Sequence, residues 1–214
     1  MSETEKPSLH YFQDTLCGWC YGFGPVMEQV YGAWGTVAPI SVYAGGMIVG
    51  NRVGTIAEKA SYIETAYQDV ERLTGIRFGS AFVDHVLKKG EMVLESTTPA
   101  TALVVHRALQ LPHPTRFAHR LQQAVYRDGM DLSSPSTYEV LAAELNVDAE
   151  DFVAAMQTED IRRAAQEEFD YVAELGITGF PTLVLAVADE AHVVAQGYRP
   201  FENINATLQE LLSV

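Results

Sequence analysis

Asp14-Thr15-Leu16-Cys17-Gly18-Trp19-Cys20-Tyr21-Gly22-Phe23-Gly24-Pro25 is the stretch on which the reading of this chain turns. Cys17 and Cys20 are the only cysteines, so no framework of disulfides staples the fold. Three roles are open to a pair at this spacing: two small apolar side chains in a core, half of a zinc site, or a reversible dithiol–disulfide couple. Zinc needs two further ligands at matching spacing, and the six histidines offer no HxxxH pair and no second CxxC exists. The choice between the other two depends on where the pair sits in the fold.

Leu9-His10-Tyr11-Phe12-Gln13, upstream, is short and aromatic and ends at the polar Asp14-Thr15, which predicts a strand. Downstream, Val26, Met27, Val30 and Tyr31 fall at three-and-four spacing and predict a helix over about 18–34, kinked by Pro25. Ile40-Ser41-Val42-Tyr43-Ala44 reads as a second strand, closed by Gly45-Gly46. The opening is β–CxxC–α–β.

From Thr55 the pattern turns helical. Ile56, Ala60, Ile63, Tyr67 and Val70 make one apolar stripe that stops at Gly75. Thr98-Pro99 and Ser134-Pro135 look like helix starts, with proline at the first helical position. Further helices are expected at Arg116–Tyr126, from Asp148, and over about 160–175 with Gly176 as the stop. Residues 49–175 therefore read as an all-helical insert packed over the Cys17 face. Thr182–Val187 and His192–Ala195 then form a hairpin through Ala188-Asp189-Glu190-Ala191, and Phe201–Leu212 is a terminal helix. His10, His106 and His192 fall in apolar stretches as satisfied structural residues. Glu167-Glu168 and Glu58-Lys59 read as solvated helix faces.

The chain has 214 residues, 48% of them hydrophobic and 20% charged, a balance that supports a real core. The formal charge of −14 argues against nucleic acid and against an anionic membrane surface as partners. No apolar run is long enough to span a bilayer. Met1–Pro7 carries no basic-then-apolar segment, so a cytoplasmic location is expected.

The order βαβ, helical block, ββα, with a CxxC at the first strand-to-helix junction, resembles the thioredoxin fold. The segment Asp14–Pro25 is similar to the active-site segment of the DsbA-like thioredoxin family, in its FrnE-like, cytoplasmic disulfide-isomerase-like branch. Gly176-Ile177-Thr178-Gly179-Phe180-Pro181-Thr182 resembles that family's cis-proline loop. The resemblance implies an α/β thioredoxin-like domain over 8–48 and 176–214 and an inserted helical domain over 49–175. Two departures argue against a strong oxidant: the Pro-His dipeptide of secreted DsbA proteins is absent, and Phe180 stands where many relatives have a β-branched residue.

A thiol–disulfide oxidoreductase follows, acting as reductase or isomerase. Exchange needs a thiolate, and a helix N-terminus can lower a cysteine pKa from about 8.5 into the range of about 3.5–7.5. Cys17 at the junction is the expected attacker and Cys20, one turn in, the resolver. Trp19 lines the substrate face or packs on the insert. Pro181, in cis, sets the Phe180 backbone toward the sulfur, where it can pair with a substrate strand. Asp14 is a candidate proton carrier or a solvated strand-end residue. No metal or cofactor is implied beyond the dithiol, with glutathione as a possible reductant. Substrates would be protein or small-thiol disulfides. The rival readings are a glutathione-dependent transferase or isomerase of kappa-class type and a redox-silent binding module.

Overall fold

A computed structural model describes residues 6–188 and 190–213. The N-terminal Met1–Glu5 and Asp189 of the expected hairpin turn lie outside the described residues. Strand β1 (Ser8–Gln13) leads through Asp14–Leu16 into helix α1 (Gly18–Trp34), and β2 (Ile40–Ala44) follows. Between β2 and β5 come β3 (Gly54–Thr55), α2 (Ala60–Thr74), β4 (Val93–Leu94), α3 (Thr97–Ala108), α4 (Pro114–Tyr126), α5 (Pro135–Glu144), α6 (Ala149–Met156) and α7 (Glu159–Glu174). The chain closes with β5 (Thr182–Val187), β6 (Glu190–Gln196) and α8 (Phe201–Leu212). The main sheet has the order β2-β1-β5-β6. β1 runs parallel to β2, with Leu9 opposite Ile40, and antiparallel to β5, with Tyr11 opposite Leu183.

Alternation along β1 sends Leu9, Tyr11 and Gln13 to one face and His10 and Phe12 to the other. Tyr11 meets Phe23 of α1, whereas His10 and Phe12 stack on Tyr43, which in turn meets Tyr171 of α7. Helix α1 is thus packed on one face of the sheet and α7 on the other. At its far end Trp34 Nε1 donates to Asn205 Oδ1 of α8 at 2.9 Å.

Two glycines let neighbouring helices press onto α1. A Cβ at Gly22 would stand 2.8 Å from side-chain atoms of Val70 and Thr74 on α2. One at Gly24 would stand 1.8 Å from the His119 ring of α4, an impossible contact. The intervening helices and the sheet consequently share one continuous hydrophobic core. Helix starts are chemically marked: Pro114 and Pro135 occupy first-turn positions, and Glu95 accepts from the Thr97 and Thr98 N–H groups at 2.6 and 2.9 Å. Gly75 ends α2 in the left-handed region.

The segment 49–175 is not all helical, which corrects the sequence expectation. Gly54–Thr55 and Val93–Leu94 pair as a two-residue antiparallel ladder. Strands this short show no alternation for a sequence to display. β6 also begins two residues before the expected His192. Two further assignments fail as well, those of Glu168 and His106. Glu168 is buried, accepting from the Ala44 N–H at 2.5 Å and pairing with Arg107. Glu58 is exposed as expected, and its side chain also accepts from the Thr55 N–H at 3.0 Å as a cap. His106 is stacked on Phe117, but its Nε2 has no partner.

Burial holds His119 neutral, its pKa lowered to about 4 from the ordinary 6.5. The unfolded chain therefore binds this proton first, and the stability due to neutral His119 is lost as pH falls from 6.5 toward 4. Burial raises Asp14 and Glu168 instead, so their contributions run oppositely, present in acid and lost as pH rises. Comparing wild type with His119→Gln isolates the histidine. The stability difference between the two should change by roughly 2–3 kcal/mol in the variant's favour between pH 7 and pH 4. Urea denaturation at both values measures it, and a pH-independent difference would contradict the buried neutral imidazole.

Candidate active site

Cys17 is the N-cap of α1, in extended conformation, and its Sγ accepts from the Cys20 N–H at 3.4 Å. The sulfur thus takes up one of the unpaired donors at a helix start. On its other side the Cys17 thiol donates to the Phe180 carbonyl at 3.5 Å. The Phe180–Pro181 bond is cis. Pro181 is buried, and its carbonyl accepts from the Gly197 N–H at 2.8 Å. The Phe180 ring lies over Gly45, where a Cβ would stand 1.9 Å from it. The main chain of Phe180, not its ring, therefore faces the sulfur. Both cysteines are free thiols. Cys20 is fully buried, and burial first, then its neighbour Cys17, push its thiol well above the usual range.

Asp14 is 1% exposed, which corrects the reading of a solvated strand end. Its Oδ1 accepts from the Leu16 N–H at 2.9 Å and the Ser96 hydroxyl at 3.0 Å, and its Oδ2 accepts from the Met47 N–H at 2.8 Å. One carboxyl group thereby ties the turn before Cys17 to the loop after β2 and the start of α3. Burial raises its pKa, and the three hydrogen bonds pull it back in part.

Beside Cys17 opens an apolar groove of about 140 Å³. Leu16, Cys17 and Trp19 line one wall; Ile56, Ile63, Tyr67 and Val70 of the insert line the facing one, with Lys59 among the lining residues. Trp19 is half-buried, lines this groove and also rests on the core. Beneath the cysteines lies a polar layer that the sequence reading missed. Gln122 Nε2 donates to Gln13 Oε1 at 2.8 Å, Gln122 Oε1 faces His119 Nδ1 at 3.5 Å, and the Tyr126 hydroxyl donates to the Leu16 carbonyl at 2.5 Å. A buried Gln13 on the Tyr11 face of β1 was the one available signal; its partners come from α4, more than a hundred residues away. Among the described residues, no three His, Cys, Asp or Glu side chains are grouped to hold a metal ion, and no helix is long and apolar enough to cross a membrane.

A free dithiol with one sulfur capping a helix and the other buried one turn in, on a four-stranded thioredoxin-type sheet, defines an enzyme of the disulfide oxidoreductase class. The chain belongs to the DSBA-like thioredoxin domain family, whose model matches residues 8–209. It is similar to a candidate protein disulfide isomerase from Nitrosomonas europaea, at 25% identity, TM-score 0.86 and 98% coverage of each chain. It is also similar to the cytosolic disulfide reductase DsbM from Pseudomonas aeruginosa, at 26% identity and TM-score 0.80, over 96% of this chain and 98% of that one. A structure of DsbM with GSH matches at TM-score 0.79 and 25% identity, over 97% of this chain and 100% of that one. Among curated proteins, the ClpXP adapter protein SpxH of Shouchella clausii is 22% identical over 97% of this chain and 68% of its own length.

Proposed function

We propose that this chain is a thiol–disulfide oxidoreductase working as a disulfide reductase or isomerase, with Cys17 attacking and Cys20 resolving. The observation that carries the reading is the position of Cys17, N-cap of α1 and lining the groove, with Cys20 fully buried behind it. In the first step the Cys17 thiolate attacks one sulfur of a substrate disulfide. A mixed disulfide forms and one substrate thiolate leaves. In the second step Cys20 loses its proton and attacks Cys17 Sγ, so the second substrate thiolate leaves and the Cys17–Cys20 disulfide remains. Two electrons pass from the dithiol to the substrate. An external thiol restores the dithiol by the reverse exchanges, and no further cofactor is required.

The Phe180 carbonyl and Pro181 form the wall against which a substrate chain adjoining the disulfide would lie. Trp19 covers the groove side. Asp14 holds the turn that presents Cys17, and its buried carboxyl is the proposed acceptor for the Cys20 proton. Protein or small-thiol disulfides are the proposed substrates, glutathione the proposed reductant and the cytoplasm the proposed location; the cytosolic reductase DsbM and its structure with GSH support this. The apolar groove next to Cys17 also favours a second reading, glutathione-dependent transfer to a small apolar molecule.

Turnover decides between them. Wild type should reduce disulfides at the expense of glutathione, and Cys17→Ser should lose that activity entirely. Activity that survives in Cys20→Ser at the wild-type rate, with a small electrophile as substrate, would favour the transferase.

A further inference from the structure

Tyr11 is a residue for which neither the fold nor the two cysteines alone supply a reason. It is 1% exposed on the α1 face of β1, its ring tilted against Phe23 with centroids 6.0 Å apart. Its hydroxyl makes no hydrogen bond. A buried hydroxyl without a partner is destabilising, so phenylalanine would satisfy the packing better. Two side chains adjoin it, Gln122 and Cys20. Gln122 is already engaged through both ends of its amide, with Gln13 and His119. That leaves the sulfur.

The titratable groups that influence Cys20 are Cys17 on its own helix, Asp14 in the turn after β1, Tyr11 on β1 and Tyr126 on α4. None of them is a cation, and one is a carboxyl group. The Tyr126 hydroxyl is spent on the Leu16 carbonyl. Negative charge on Cys20 therefore has a single uncommitted side-chain donor among these groups, the Tyr11 hydroxyl. A thiol is a weak acceptor and a thiolate a strong one, so this bond strengthens only when the sulfur carries charge.

We propose that Tyr11 is a catalytic hydrogen-bond donor for the resolving half of the reaction, bonding to Cys20 Sγ as that sulfur gives up its proton and attacks the mixed disulfide on Cys17. It acts again in reverse, when Cys20 leaves as a thiolate during reduction of the Cys17–Cys20 disulfide. The inference rests on the assignment of Cys17 as attacker and Cys20 as resolver.

The test is a single turnover of the reduced protein with an aromatic disulfide, dithiobis-nitrobenzoate, followed by stopped-flow absorbance. The first aryl thiolate is released when Cys17 forms the mixed disulfide, and the second when Cys20 closes the internal disulfide, so the two phases report attack and resolution separately. Tyr11→Phe should leave the first phase unchanged. It should slow the second about tenfold, the loss of one hydrogen bond to a charged sulfur, and displace that phase's pH profile upward. Its denaturation midpoint should be no lower than wild type, because the deleted hydroxyl had no partner. Two phases equal to wild type at every pH, or equal slowing of both, would overturn the proposal. Wild type releasing one thiolate per chain would instead refute the resolving role of Cys20 itself, and Tyr11 would fall with it.

Discussion

Cys20→Ser should turn an enzyme that releases its substrates into one that holds them. Once Cys17 has attacked, the mixed disulfide has an internal exit only through the sulfur one turn away, and serine is a poor nucleophile at neutral pH. Well-oriented intramolecular attack acts at an effective concentration far above that of millimolar external thiols, so release should slow by roughly a thousandfold or more. In cells the variant should accumulate reducible high-mass bands on a non-reducing gel. Cys17→Ser should give none, because Cys20 is fully buried and offers an incoming disulfide no approach. Equal trapping by the two variants would reverse the roles of attacker and resolver. The trapped partners also report the substrate class: many proteins indicate a general reductase, a single small thiol the glutathione route.

The second large effect is expected at Asp14, and it is one of stability. Alanine there removes the acceptor for the Leu16 and Met47 N–H groups and for the Ser96 hydroxyl at once. Each donor left unpaired in the interior costs about 1–3 kcal/mol. With partial rescue by water, the total should be roughly 3–5 kcal/mol, a large share of the ~5–15 kcal/mol that holds a typical domain folded. Asp14→Asn keeps one oxygen and should lose about half as much. Urea denaturation of the three proteins at pH 7 measures this; a loss below about 1 kcal/mol for Asp14→Ala would mean that the clamp is not structural. Any slowing of exchange in Asp14→Asn beyond its stability loss would then isolate a proton-transfer role for the carboxyl.

What was legible in the chain was local. The apolar spacing of α1, the stripe from Ile56 to Val70, the proline-marked start of α5 and the placement of a CxxC between strand and helix all follow from neighbours a few residues apart. The burial of Asp14 was not legible, because two of its three partners, Met47 and Ser96, lie 33 and 82 residues away and nothing near Asp14 announces them. Glu168 is the same case: its pattern is that of an exposed helix face until Arg107 and the edge of β2 are brought against it. The polar layer under Cys20 needs α4 against α1, an approach permitted by the missing side chain of Gly24. The groove beside Cys17 likewise needs α2 packed on α1, which Gly22 allows. Tertiary approach, set by small residues, made the parts of the site that spacing could not reveal.

The dithiol cycle is tested most directly by finding which sulfur first carries the substrate. Reduced wild-type protein is mixed with limiting oxidised glutathione, quenched in acid at intervals and mapped by peptide mass spectrometry. Glutathione should appear first on Cys17 alone, then disappear as a Cys17–Cys20 disulfide, two hydrogens lighter than the dithiol, takes its place. An adduct that forms on Cys20, or one on Cys17 that persists without conversion to the internal disulfide, would contradict attack by Cys17 and resolution by Cys20.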